Sequence, residues 1–184
     1  GVIRTGAGSV LWGGLDVPAI KAGADPLPFY AALVSILKVI PTLPKPVVSV
    51  GNGDAVASGG AFVAVSDYAV AVSDALIGSY EASVGAWPIV AQVPLIKRLG
   101  ARTAIQNIAS GEPFTADQAL AVGLVNAVGE AKQIEELAGE WLTKAARAGA
   151  TMSTGRPSVY ELEQLSLNDG LDEAFKRLSQ AYQG

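Results

Sequence analysis

The sequence contains neither cysteine nor histidine. Without cysteine there is no disulfide, no zinc–thiolate site and no thiol nucleophile. Without histidine the commonest general base and the commonest metal ligand are gone. Acid–base chemistry then falls to carboxylates, tyrosine, lysine or serine, and neither a metal site nor a resident cofactor is expected. Charge is also scarce: 16% of the 184 residues carry it, with 13 basic against 17 acidic side chains and a net −4. No basic run or stripe occurs, so nucleic acid is not an expected partner. The most apolar stretch, residues 46–93, is interrupted by Asp54, Asp67, Asp74 and Glu81, which excludes a membrane-spanning helix there. Residues 1–6 (GVIRTG) show no secretory leader pattern, and the expected location is a reducing cytoplasm. Apolar side chains are plentiful, at 50% of the chain, which suits a buried core rather than disorder.

Short apolar runs alternate with glycine turns. Residues 2–4 and 10–12 read as short strands around the turn TGAGS at 5–9, and residues 18–28, with Pro18, Gly23, Pro26 and Pro28, as a loop. Phe29, Leu33, Ile36, Leu37 and Ile40 share a helical face, which Pro41, Pro44 and Pro46 end. Residues 47–50 form a continuous apolar strand, turned by GNG at 51–53. SGG at 58–60 opens a helix to about residue 65, and further strands fall at 68–72, 75–78 and 124–128. Helices are expected over 89–99, 101–108, 116–121 and 133–147, a loop over 149–157, and a helical tail from Ser158 with a break near 168–170. Strand, glycine turn and small-residue segment recur near 2–16, 47–65 and 68–85, which indicates an α/β domain.

Two glycine segments offer chemistry. Gly13-Gly14 follows a strand end, and Ser58-Gly59-Gly60 starts a helix. Glycine lets a backbone N–H come close to a ligand, and a helix N-terminus presents free N–H groups. Two converging N–H groups make an oxyanion hole; the plainer reading is that these glycines serve tight turns. Asp16 suits a cap on the following turn. Asp67 and Asp74 suit strand ends, bonding backbone. Lys97-Arg98 suits a solvated helix end. Trp12 and Trp87 suit either an acyl-pocket wall or the core.

Residues 4–16 (RTGAGSVLWGGLD) resemble the first oxyanion segment of the crotonase (enoyl-CoA hydratase/isomerase) family. PVVSVGNG at 46–53, running on to SGG at 58–60 and SD at 66–67, resembles its second. IKRLG at 96–100, GEPFTA at 111–116 and ALAVGLVNAV at 119–128 resemble the family's region beyond the active site, so the similarity spans about residues 2–147. The resemblance implies a crotonase-like α/β spiral of short ββα units over residues 1–130 and a helical region over 131–184. It places a first spiral unit ahead of Gly1 and closing helices after Gly184, so both regions are expected to be incomplete and some coenzyme A contacts to lie elsewhere.

The same resemblance implies roles. The Gly13 and Ser58 N–H groups would hold the thioester oxygen of an acyl-CoA, and Glu81 falls at the position of a catalytic glutamate. Leu11, Trp12, Gly14, Asp16, Gly59 and Trp87 fall along the substrate path. Coenzyme A enters only as part of the substrate. Residues 77–87 around Glu81 are mostly uncharged, and burial in an apolar pocket would make that carboxylate a better base. Ala61 falls where hydratases carry a second glutamate. One carboxylate suits moving a double bond from position 3 to position 2 better than hydration, so an enoyl-CoA isomerase is expected. A hydratase or other crotonase reaction, a non-catalytic acyl-CoA binder, and a Ser–Lys peptidase using Ser58 with Lys97 stay open as alternatives. The family implies a trimer or hexamer.

Overall fold

In the computed structural model, which describes residues 1–182, the first six strands come in consecutive pairs. β1 (Val2–Thr5) and β2 (Val10–Trp12) precede helices α1 (Val17–Lys21) and α2 (Leu27–Val39). β3 (Val47–Gly51) and β4 (Asp54–Val56) precede α3 (Ser58–Val65). β5 (Tyr68–Val72) and β6 (Leu76–Gly78) precede a 3-10 turn (Glu81–Val84) and the long α4 (Gln92–Ser110). β7 (Phe114–Thr115), α5 (Ala116–Ala121) and β8 (Ala127–Gly129) come next, and then only helices: α6 (Ile134–Ala145), α7 (Met152–Leu162) and α8 (Leu167–Ala181).

The first strand of each of the three pairs enters one sheet, which β8 completes in the order β1-β3-β5-β8, parallel throughout. The second enters another, which β7 completes in the order β2-β4-β6-β7, with only β7 antiparallel. This is an α/β spiral of ββα units with a helical C-terminal part. Successive turns are bound at their corners by Asn52. Its amide donates to the Gly6 and Gly8 carbonyls at 3.2 and 2.6 Å and accepts from the Gly6 N–H at 2.9 Å. All five residues of β3 are buried, as a strand covered on both faces requires. Its one polar side chain, Ser49, is satisfied by Ser66 at 2.8 Å and by Arg4.

Several segments differ from the sequence reading. The start of the expected loop at 18–28 is α1, because Asp16 accepts from the Ala19 N–H at 3.0 Å and Pro18 sits in the first turn, where its missing N–H costs nothing. β4 has no counterpart in the sequence reading, because three residues beginning with an aspartate give no period. Residues 89–91 lie ahead of α4, and the two helices expected after them are one, interrupted at Gly100 (φ 73°, ψ 157°). β8 begins later than expected, since Leu124 and Val125 reach the core from a turn. Ile36 is 47% exposed, while Leu33 and Ile40 fill the face with which its spacing groups it.

The largest difference is at 149–157, a 3-10 turn and then α7, which runs through Pro157. Tertiary anchoring outweighs the proline. Arg156 is buried and donates to Asp67 Oδ2 at 2.7 Å and to the Pro41 and Leu43 carbonyls at 3.0 and 2.7 Å. The tail breaks at 163–166 rather than 168–170, because Ser166 caps α8 by accepting from the Asp169 N–H at 3.2 Å.

Asp67 also accepts from the Val47 N–H at 2.6 Å and from the Tyr160 hydroxyl, so one carboxylate ties β3 to α7. Burial, then the hydrogen bond and charge of Asp67, push the Tyr160 phenol up to about 12, with Arg156 and Arg98 pulling the other way. In the unfolded chain the phenol ionises near 10. Its contribution to stability is therefore complete below pH 10 and lost as pH rises through about 12. Tyr160→Phe should cost about 1 kcal/mol at pH 8, and the gap to wild type should narrow by pH 11. Urea midpoints at both pH values test this; a gap that stays constant would show that the phenol is not coupled to folding.

Candidate active site

β2, β4 and β6 are neighbouring parallel strands, so their C-terminal ends lie side by side. Gly13 follows β2, Ser58 comes just after β4, and Glu81 comes just after β6. Three residues far apart in sequence are brought to one edge of one sheet, the place where open α/β sheets present functional groups.

Helix α3 carries Ser58 as its first residue, so the Ser58 N–H has no acceptor within the helix. Among the described residues, neither this N–H nor that of Gly13 has a turn or loop acceptor. The side of Gly13 where a Cβ would stand is open. Ala57, before the helix, has φ 56° and ψ −122° and is the one non-glycine residue with positive φ among those described. That conformation costs on the order of 1–3 kcal/mol and turns the chain sharply into α3. The N-terminus of α3 is held by backbone packing on both sides. A Cβ on Gly59 would stand 2.6 Å from the Trp12 carbonyl oxygen, and one on Gly60 would stand 2.8 Å from Gly78 Cα.

Glu81 is half-buried at the start of the 3-10 turn. Its Oε2 accepts from the Ser79 hydroxyl at 2.6 Å and from the Tyr80 N–H at 3.0 Å. Oε1 has no partner among the described residues. The surroundings are thus not simply apolar, as the neighbouring sequence suggests; two donors orient the carboxylate and leave one oxygen free. Ser79 is positioned in turn by buried Asn107, whose Oδ1 accepts from the Ser79 N–H at 2.8 Å and whose amide donates to the Ser79 and Glu112 carbonyls at 2.7 and 2.8 Å. Sequence reasoning missed Ser79 and Asn107. They lie 28 residues apart, and nothing local marks them as a pair.

The other expected site residues are distributed differently. Leu11 is buried in the main core, which removes its side chain from a substrate path. Asp16 caps α1, as its position suggests. Gly59 is packed against Trp12 rather than open. Gly14 (φ 93°) packs against Ala57, where a Cβ would stand 2.8 Å from the Ala57 Cβ. Trp12 lies beside the site: its indole donates to Ser58 Oγ at 2.9 Å, and its ring meets Phe62 edge-on at 4.9 Å. Trp87 is 47% exposed and donates to Gln92, so it is not core. Lys97 donates to Gln164 at 3.0 Å, and Arg98 caps the far end of α3 through the Ala64 and Ser66 carbonyls at 2.9 and 2.7 Å. Both residues are exposed, just before the break in α4 at Gly100, as the sequence reading expects, although each also makes these bonds. Among the described residues no lysine bonds Ser58, so the Ser–Lys pair is not formed. A cavity of about 1420 Å³, lined by residues such as Leu37, Val90, Asp67 and Arg156, lies toward that far end and contains none of Gly13, Ser58 and Glu81.

The model of the enoyl-CoA hydratase/isomerase family matches residues 1–158, so the chain belongs to that family. A Danio rerio protein named enoyl-CoA hydratase domain-containing protein 3, mitochondrial, is 29% identical over 138 residues, covering 73% of this chain and 48% of the relative. The chain spans about half the length of the curated relatives it matches. Among solved structures, an enoyl-CoA hydratase from Mycobacterium smegmatis shares the fold with a TM-score of 0.87 at 24% identity, covering 98% of this chain and 72% of that one. One from Bacillus anthracis gives a TM-score of 0.85 at 26% identity, with 99% and 71% covered.

The packing at Gly60 yields a prediction with a built-in control. Gly60→Ala should lower stability by about 2 kcal/mol or more, because the atoms that the new Cβ would meet are all backbone of Gly78. Gly139→Ala, inside α6 with nothing within 4 Å of its Cβ position, should instead raise stability by about 0.5–1 kcal/mol. Thermal unfolding of both variants checks the opposite signs.

Proposed function

We propose that the protein is an enoyl-CoA isomerase that moves a double bond from position 3 to position 2 of an acyl-CoA thioester. The observation that carries this reading is one oriented carboxylate, Glu81, at the same sheet edge as the Gly13 and Ser58 N–H groups, with fully buried Ala61 where the family resemblance would put a second carboxylate. The thioester oxygen accepts from the two N–H groups. Glu81 Oε1 takes a proton from C2, and the C2–H electron pair moves into the C1–C2 bond as negative charge gathers on the oxygen. The two donors stabilise that charge, each by roughly 3 kcal/mol. The protonated Glu81 then delivers the same proton to C4: the C3–C4 π pair forms the new C4–H bond, the C1–C2 π pair moves to C2–C3, and the charge on the oxygen returns to restore the carbonyl. No water enters and no second acid is required. Hydration would need both, and this disfavours the hydratase alternative.

The substrate class comes from the same reading: acyl-CoA as reactant and no resident cofactor. A homo-oligomer, trimer or hexamer, in a reducing cytoplasm belongs to it as well, although the Danio rerio relative is named mitochondrial.

Mixing the protein with a 3-enoyl-CoA should produce the absorbance of the conjugated 2-enoyl thioester. Glu81→Gln should lower the rate by about 10²–10⁴-fold while acyl-CoA still binds. Full turnover by Glu81→Gln would sink the assignment, and saturable binding without wild-type turnover would identify a non-catalytic binder instead.

A further inference from the structure

The Ser58 side chain has no part in a hole made of two backbone N–H groups, yet it is only 4% exposed and sits at the same place. Among the described residues its Oγ makes one hydrogen bond, accepted from the Trp12 indole at 2.9 Å. A hydroxyl has one proton to donate, and the Ser58 proton has no acceptor among the described residues. A buried donor without a partner is costly and calls for an explanation. Its direction is constrained. With Trp12 occupying a lone pair, the proton must point elsewhere. Ser58 N and Ser58 Oγ both lie 4.0 Å from the position that a Cβ on Gly14 would take. The backbone donor and the side-chain donor thus lie equally far from one point beside Gly14, where the Ala57 Cβ also stands, so both are on the same side of the turn into α3. Trp12 is itself fixed, by its edge contact with Phe62 and by its carbonyl packed on Gly59.

We infer that the Ser58 hydroxyl is a third donor to the thioester oxygen, and that Trp12 is the positioning residue that orients it. The inference rests on the acyl-CoA reading of the site and adds to it a side-chain donor that two-donor chemistry does not require. The proton is shared with the oxygen, not transferred, and Ser58 forms no covalent bond. As negative charge gathers on the oxygen, this bond becomes charge-assisted and strengthens, so its effect belongs to kcat more than to KM.

The test separates donation from structure. A 2-enoyl-CoA labelled with ¹³C at the thioester carbonyl is bound to wild type, Ser58→Ala and Trp12→Phe, and the carbonyl stretch is read by difference infrared spectroscopy. Turnover of 3-enoyl-CoA is measured beside it. Wild type should show the lowest carbonyl frequency. Ser58→Ala should move it up toward the free value and lower kcat roughly tenfold or more, with KM nearly unchanged. Trp12→Phe keeps an aromatic ring for Phe62 but removes the indole donor; it should give an intermediate frequency and a severalfold loss in kcat. A merely structural role for Ser58 would change thermal stability without moving the carbonyl frequency. If acyl-CoA binds and Ser58→Ala leaves both frequency and kcat unchanged, the third donor is overturned alone. If no acyl-CoA binds to wild type, the third donor and the reading beneath it both fall.

Discussion

The structure depends on how closely the N-terminus of α3 approaches the backbone of its two neighbours. Gly59 lies against the Trp12 carbonyl at the end of β2, and Gly60 lies against Gly78 at the end of β6. No side chain fits at either contact. The result is a helix end held between two strand ends by main-chain atoms alone, whose positions side-chain motion cannot blur. Everything proposed for the site inherits this. Gly13 is placed by β2, Ser58 by α3 and Glu81 by the chain leaving β6, so the distances among them are set by the same packing. The strain at Ala57 is consistent with it, since the turn into α3 must be sharp for the helix to enter that space.

The far end of α3 is fixed by different means. There the last carbonyls need donors, and arginines supply them. Arg4 donates to the Phe62 carbonyl and to Ser49 and Ser66, with its guanidinium 4.5 Å over the Phe62 ring. Arg98 takes the Ala64 and Ser66 carbonyls. Burial draws the Arg4 guanidinium down to about 10, which leaves it charged at neutral pH. Asp67, one residue past Ser66, then carries the constraint on to β3 and α7. One short helix is thus pinned by glycine backbone at the end that would face substrate and by charged side chains at the end that does not.

Legibility in the sequence divides along the same line. The α/β class and α3 itself are readable, because most buried strands appear as apolar runs and the helix start is written in three adjacent residues, Ser58-Gly59-Gly60; the spiral is readable only from motif resemblance, and β4 and the order of the strands in their sheets are not readable. The candidate residues Gly13, Ser58 and Glu81 are readable from motif resemblance. Features that depend on partners distant in sequence are not. Asn107 holds Ser79 across 28 residues, and Arg156 reaches Asp67 across 89. A proline and two glycines at 149–157 argue locally for a loop, and only the buried Arg156 bonds explain why a helix passes through Pro157. Leu11 reads as a substrate residue because the motif surrounds it, whereas burial assigns it to the core.

Magnitudes indicate which of these features would act on a developing enolate. The eight residues of α3 span roughly 12 Å. A cation that far from the thioester oxygen contributes about 1 kcal/mol at an effective dielectric constant near 20, and Asp67 beside the arginines offsets part of it. A direct hydrogen bond to the oxygen is worth roughly 3 kcal/mol. Arg4 and Arg98 therefore matter less as charges than as clamps. They keep α3 from sliding along its axis, and a slide of about 1 Å would lengthen a bond from Ser58 beyond useful range. Any electrostatic stabilisation supplied at the N-terminus of α3 would in this sense be a mechanical property of its C-terminus.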